Sequence, residues 1–265
     1  MMNIDILVMA GGSAPSWAHP PVENKALVSI HGKPCIQWVL DAIIAAQKNP
    51  EIKKQFSIRS ILLGTDVLQN QGIADQFDAY VSSPETNKLS DNVRLGMEAS
   101  KGEYILIVTG DIPCIEMGHL RSLLSPIQDY PNADLFVPII EKSAVDQLFP
   151  GSHRTYGKIK EGSVKVANCF LIRKDGFPKI DAIMNQFIEN RKSVIKLAFH
   201  FGILNLLKLI VTKSISIPEL EKAFLKASGI QVKGFFTEYA QLAVDIDKQS
   251  DIHDIETYFT KRGGV

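Results

Sequence analysis

The first apolar run of the chain, Ile4 to Ala10, carries Ile4, Ile6, Leu7 and Val8 almost without interruption and stops at Gly11-Gly12. A short, near-continuous apolar stretch bounded by glycine is the pattern of a strand buried on both faces of a parallel sheet. Comparable runs recur at Ser57–Leu63 before Gly64-Thr65-Asp66, at Ala79–Val81, at Tyr104–Thr109 before Gly110-Asp111-Ile112-Pro113, and at Leu135–Pro138. Between them the apolar period lengthens to that of a helix. Pro34 suits a first helical position, because its missing N–H would lack a partner there, and Ile36, Val39, Leu40, Ile43 and Ile44 follow on one face. Ser90 is expected to N-cap a helix through Val93, Leu95, Met97 and Ala99, and Met117–Leu124 is a further helix. Strands alternating with helices at these distances predict an α/β fold with a mostly parallel sheet.

Beyond Pro150 the alternation weakens. Residues 150–164, rich in Gly, Ser, Lys and His, predict a loop or hairpin, Val166–Ile172 a strand, and the stretch from Pro178 to Ser228 two or three helices. Gln231–Phe236 and Leu242–Ile246 read as closing strands and Gln249–Tyr258 as a terminal helix. One domain over residues 1–265 is expected, with 178–230 as a helical insertion or subdomain. Val194–Val211 is the most apolar stretch and approaches the length of a membrane span, yet Lys196, His200, Asn205 and Lys208 interrupt it. Charges in mid-span are costly, so a buried or dimer-forming helix pair is expected there, membrane-surface contact being the alternative. Monomer and homodimer both remain open.

Charge and cysteine content narrow the function. Twenty-nine basic against twenty-nine acidic residues leave no net field to recruit nucleic acid. The three cysteines, Cys35, Cys114 and Cys169, are far apart and form no CxxC pair, so neither a disulfide framework nor a zinc site is indicated. No signal-peptide pattern opens the chain and no transmembrane segment is predicted, so a cytoplasmic location is expected.

The chemistry gathers at predicted strand ends, where open α/β sheets bind ligands. Gly11-Gly12 lets the backbone approach a ligand closely and aim N–H groups at an anion. Lys25, in Glu23-Asn24-Lys25-Ala26-Leu27, can return a positive charge to that spot. Asp111 follows a buried strand, and an aspartate there can hold Mg²⁺, which needs only one or two carboxylates and neutralises phosphate oxygens. In Val244-Asp245-Ile246-Asp247 the two carboxylates would share one side of a strand. Such a pair calls for a cation, with Asp247 as second ligand and Asp245 beside it, or for a solvent-facing turn. No GxxxxGK[ST] loop, GxGxxG fingerprint or nucleophile elbow is present.

Taken together, Ile6–Gly12, Asn24-Lys25-Ala26-Leu27, Gly32-Lys33-Pro34, Gly110-Asp111-Ile112-Pro113 and Val244-Asp245-Ile246-Asp247 closely resemble the sugar-nucleotide and molybdenum-cofactor (guanylyltransferase-like) nucleotidyltransferases. The resemblance spans most of residues 3–175 and 240–258. It implies a three-layer, Rossmann-like fold of the glycosyltransferase-A type and Mg²⁺-dependent transfer of an NMP from an NTP to a phosphorylated small-molecule acceptor, releasing pyrophosphate. Carried onto this chain, Ala10, Gly11, Gly12, Ser13 and Gly110 would hold the nucleotide. Lys25 would bind phosphate and stabilise the transition state, Asp111 would ligate Mg²⁺, and Asp247, with Asp245 beside it, would face it. Ser90, Asp91 and Asn92 would read the base, while Tyr156, Lys158 and Asn168 would contact the acceptor. One departure stands out: many members carry an arginine between the glycine pair and the lysine, where this chain has Ser13 to Pro21 and only His19. Two other readings stay open, a nucleotide-sugar glycosyltransferase and a catalytically impaired nucleotide-binding or regulatory protein on the same fold.

Overall fold

A computed structural model of the chain describes residues 1–83, 88–190 and 215–263. Its strands are β1 (Met2–Ala10), β2 (Ser29–Ile30), β3 (Lys33–Pro34), β4 (Phe56–Gly64), β5 (Ala79–Ser82), β6 (Tyr104–Thr109), β7 (Leu135–Glu141), β8 (Gly157–Ile159), β9 (Gly162–Val166), β10 (Cys169–Arg173) and β11 (Val232–Phe236). All but β2 and β3 join one nine-stranded sheet in the order β5-β4-β1-β6-β10-β7-β9-β8, with β11 on the other side of β7. β1 pairs in parallel with β4 and β6, and the described pairings leave only β9 and β10 running against the rest. The α/β, mostly parallel architecture expected from the alternation is present.

Alternate residues of β1 feed two separate cores, as a strand covered on both faces requires. Ile4, Ile6, Val8 and Ala10 pack with the helix Cys35–Lys48, with Leu120, Leu123 and Leu124 of Met117–Leu124, and with Ile255 and Phe259 of the terminal helix Gln249–Lys261. On the opposite face Leu7 packs with Ile61, Ile105 and Met97, the last from helix Leu89–Ala99, and helix Phe177–Asn190 adds Phe177 and Ile180. The register Ala10↔Gly64 and Met9↔Thr109 brings the loops after β1, β4 and β6 out side by side at one edge. The connections diverge there, β1 to β4 on one side and β6 on the other, which makes this edge the switch point where ligands bind in such sheets.

Several local expectations are corrected. Pro34 caps the helix from outside: it is extended (ψ 144), closes the β2–β3 hairpin opposite Ser29, and leaves Cys35 as the first helical residue. The hairpin turns through His31 (φ 49) and Gly32 (φ 74), the left-handed pair that a tight two-residue turn requires. The helix of Asn92 begins at Leu89, with Lys88 as its cap and Ser90 buried in its first turn. Val166–Ile172 is not continuous, because Ala167-Asn168 separate β9 from β10. Leu242–Ile246 is not a strand: Ala240–Ala243 is a 3-10 turn and the residues after it pair with no ladder. Its carbonyls and amides are taken instead by Asn168 N–H (to Leu242), Lys165 Nζ (to Ala243), Arg154 (to Asp245) and Asp111 C=O (from Ile246). Burial of Leu242, Val244 and Ile246 explains the apolar pattern, and an apolar run alone does not separate strand from buried loop. The stretch 194–211 lies outside the described residues, and among those described no helix is long and apolar enough to cross a membrane.

One glycine supports the strand that carries the site. A Cβ on Gly102 would lie 2.7 Å from the Asp5 backbone nitrogen and 2.9 Å from the Tyr104 carbonyl oxygen. Neither atom can rotate away, so Gly102→Ala is expected to cost about 1–3 kcal/mol, the usual range for overpacking. A denaturation midpoint equal to that of the wild type would refute this close fit.

Candidate active site

The edge where β1 and β6 end holds a cleft of about 320 Å³, lined by Met9 to Ser13, Asn24 to Ala26, Thr109 to Asp111, Leu89 and Asn92. Asn24 builds much of it. Fully buried, it caps the 3-10 turn Lys25–Leu27 by accepting from Ala26 N–H at 2.8 Å. Its Nδ2 donates to Ala10 C=O at 2.8 Å and to Thr65 Oγ1 at 3.0 Å. One amide thus ties the ends of β1 and β4 to the turn that presents Lys25. Gly110 donates its N–H to Met9 C=O, and a Cβ there would come within 3.2 Å of Ala10 Cβ and 3.4 Å of Ala26 Cβ. Any larger residue at that position would have to push the two strand ends and the Lys25 turn apart by a few tenths of an ångström.

Lys25 Nζ lies 2.7 Å from Asp111 Oδ2 and 2.5 Å from Asp247 Oδ1. Asp111, Asp245 and Asp247 each offer a carboxylate oxygen within 4.8 Å of the others. Asp111 Oδ1 is buried and has no hydrogen-bond partner among the described residues, which leaves it able to take a ligand. Burial works against the charge on Lys25, but Asp111 and Asp247 outweigh it and hold the ammonium above the ordinary lysine range. Burial also disfavours the Asp247 carboxylate, yet the Lys25 hydrogen bond and charge hold it below the usual range. Asp245 goes the other way: burial, followed by the negative charge of Asp111, raises it despite Lys165 and Arg154.

Three residues of this network were not singled out from the sequence. Arg154 Nη1 lies 3.1 Å from Asp245 Oδ1, and Lys165 Nζ 3.6 Å from the same oxygen. Asp251, wholly buried in the first turn of the last helix, accepts from Asp247 N–H at 2.7 Å and Lys248 N–H at 3.0 Å. Its only signal in sequence is a cap-like position after Asp247. Arg154 sits in the glycine- and serine-rich loop, 91 residues from Asp245, where no periodicity marks it.

The expected nucleotide and acceptor residues fall into those that line the cleft and those that do not. Ala10, Gly11, Gly12, Ser13, Lys25, Gly110 and Asp111 all line the cleft, and so does Asn92, which accepts from Ser83 Oγ at 2.9 Å. Ser90 and Asp91 are not among its lining residues; Asp91 pairs with Arg94 at 3.2 Å, and Arg94 reaches on to Asp181. Asn168 stands beside the end of β6, its C=O accepting from Thr109 N–H, and both Asn168 Nδ2 and Thr109 Oγ1 are buried without a partner. Tyr156 packs near Lys142, 5.4 Å from its ring centroid, and Lys158 is exposed on β8; neither lines the cleft. His19 is exposed and also lies outside it.

Comparison with known proteins adds a family. The model of the MobA-like NTP transferase domain matches residues 6–197. The 3-deoxy-manno-octulosonate cytidylyltransferase of Coxiella burnetii is 29% identical over 134 residues, 48% of this chain and 49% of that protein. The chain therefore matches about half the length of these curated relatives. A hypothetical transferase from Thermus thermophilus superposes with a TM-score of 0.78 at 27% identity, over 95% of this chain and all of the other. The fold is shared with CMP:2-keto-3-deoxy-manno-octonic acid synthetase complexed with CTP, at a TM-score of 0.57 and 15% identity over 99% of this chain and 100% of that one.

Proposed function

The chain belongs to the MobA-like NTP transferase domain family, and from that premise we propose that it moves a nucleotidyl group from an NTP to a small acceptor, releasing pyrophosphate. The observation that carries this reading is the meeting of Lys25, Asp111 and Asp247 beside a glycine-lined strand end. The three carboxylates fit a divalent ion: their oxygens are close enough to share one, Asp111 Oδ1 awaits a partner, and hard oxygen ligands suit Mg²⁺. Bound there, Mg²⁺ would neutralise phosphate charge as it builds.

The rest of the chemistry belongs to the chain. The backbone of Gly11, Gly12 and Ser13 receives the triphosphate, and Asn92 and Leu89 close the end of the cleft toward the base. Lys25 carries a full positive charge and sits where it can follow charge developing on the phosphates. An ionised phosphate oxygen of the acceptor attacks the α-phosphorus, a new P–O bond forms, the bond from the α-phosphorus to the oxygen bridging to the β-phosphate breaks, and pyrophosphate leaves with the electron pair. The acceptor is placed on the side of Thr109, which lines the cleft, with Asn168 hydrogen-bonded beside it. Holding both reactants in line accounts for much of the rate, and no covalent enzyme intermediate is needed.

A phosphorylated small molecule is the first choice of acceptor. A sugar acid is the second, because the 29%-identical relative is named for one. The nucleotide half is tested by thermal shift with ATP, CTP, GTP and UTP, each with and without Mg²⁺, with CTP first. An NTP at about a thousandfold its Kd stabilises by roughly 4 kcal/mol. A Mg²⁺-dependent shift with one base identifies the donor, after which pyrophosphate release is screened against sugar phosphates and sugar acids. If none of the four shifts the melting temperature, the nucleotide reading fails.

A further inference from the structure

Arg154 has no part in the reaction just described, yet its side chain is only 5% exposed and sits against the carboxylate cluster. Its donors are nearly spent. Nε donates to Ser152 Oγ at 3.1 Å, Nη1 to Asp245 Oδ1 at 3.1 Å, and Nη2 to the Asp245 carbonyl at 2.8 Å while lying 3.0 Å from Asp251 Oδ1. A guanidinium so engaged is poorly placed to read a substrate. What it holds is the segment that supplies two of the three clustered carboxylates.

That segment needs holding. Among the described residues, 244–247 pair with no strand, and beyond the bonds from Val244 N–H to Gln241 C=O at 3.4 Å and from Ile246 N–H to Asp111 C=O at 3.2 Å their main chain is held by side chains. Arg154 grips Asp245 by both its side chain and its carbonyl. Through Asp251, whose second oxygen accepts from Asp247 N–H and Lys248 N–H, it also fixes the backbone that aims Asp247. Electrostatics add a second reason. Asp111, Asp245, Asp247 and Asp251 crowd one end of the sheet, and like charges this close raise one another's energy unless a cation stands among them. Lys25 serves Asp111 and Asp247; Arg154, with Lys165 behind it, serves Asp245 and Asp251.

We propose that Arg154 is the positioning residue of the divalent-ion site, setting the directions of the Asp245 and Asp247 carboxylates without touching ion or substrate. The proposal rests on reading Asp111, Asp245 and Asp247 as that site. Lysine cannot replace it in full, because one ammonium does not present the planar fork that reaches a carboxylate, a carbonyl and a second carboxylate together.

The test is a direct titration of the full chain with Mn²⁺, read as free Mn²⁺ by electron paramagnetic resonance, alongside the melting temperature. The proteins are wild type, Arg154→Lys, Arg154→Met and Asp111→Asn. Wild type binds Mn²⁺ and Asp111→Asn loses it. Arg154→Lys keeps the buried charge and a near-normal melting temperature but binds Mn²⁺ about 10-fold or more weakly, the usual cost of losing a group that orients a ligand. Arg154→Met strands Asp251 and is expected to be weaker still; if it does not fold, the lysine variant decides. Arg154→Lys binding Mn²⁺ as tightly as wild type overturns the positioning role, whatever happens to its melting temperature. Absence of Mn²⁺ binding by wild type, or unchanged binding by Asp111→Asn, overturns the metal-site reading and the positioning role with it.

Discussion

Asp111→Asn is expected to leave the fold intact and to lower nucleotidyl transfer by about 10³-fold or more, since a metal-bound site supplies several kcal/mol and each 1.36 kcal/mol is a tenfold in rate. The fold should survive because the side chain carries little of it. Among the described residues Oδ1 has no partner and Oδ2 pairs with Lys25, and the tie to Ile246 runs through the Asp111 carbonyl, which asparagine keeps. The amide is nearly isosteric, so the surrounding chain need not move. What disappears is an anionic oxygen at the point where Lys25 and the two other carboxylates converge. Pyrophosphate release with the donor found by thermal shift is the measurement, with circular dichroism and melting temperature as controls. A folded Asp111→Asn protein retaining a tenth of wild-type turnover would remove Asp111 from the chemistry.

Lys25→Met should separate two properties that most active-site changes lose together. Turnover is expected to fall by about 10²–10³-fold, the loss seen when one charge-stabilising donor is removed. Divalent-ion affinity of the free protein is expected to rise. Lys25 Nζ stands 2.7 Å from Asp111 Oδ2 and 2.5 Å from Asp247 Oδ1, so it neutralises two of the oxygens that the ion needs. It must leave them before an ion is held there, and the two carboxylates that raise its pKa oppose that departure. Methionine fills similar space without the charge, leaving Asp111 and Asp247 in mutual repulsion that only an added cation relieves. The same Mn²⁺ titration reads the affinity. If affinity and turnover drop in parallel, Lys25 is part of the ion site's support instead of its competitor.

The same pairing shows how much of this site was legible beforehand. Gly11-Gly12, Lys25 and Asp111 could be placed together because each follows a recognisable element and sheet ends gather such loops. Asp245 and Asp247 join the cluster on a backbone that is not the strand their alternation suggests. They were expected on one face of a strand, whereas their segment leaves a 3-10 turn without joining a ladder. Asn24 was visible only as part of a motif; its work, joining three chain segments with one amide, depends on carbonyl and hydroxyl groups 14 and 41 residues away. Ser90 and Asp91 are polar residues near a helix start, but the helix begins at Leu89, and from its first turn Leu89 and Asn92 line the cleft.

From the sequence alone followed whatever depends on nearest neighbours: buried strands from apolar runs, helices from their period, chain reversals from glycine, and the loops that must share one sheet edge. These are set by local sterics and by hiding apolar surface, both of which leave a period along the chain. The tertiary structure alone decided which charges meet. Arg154 with Asp245 and Asp251, and Lys165 with Asp245, are contacts through space. Coulombic attraction depends on distance and burial, not on position along the chain, so it leaves no pattern to read until folding has brought the partners together.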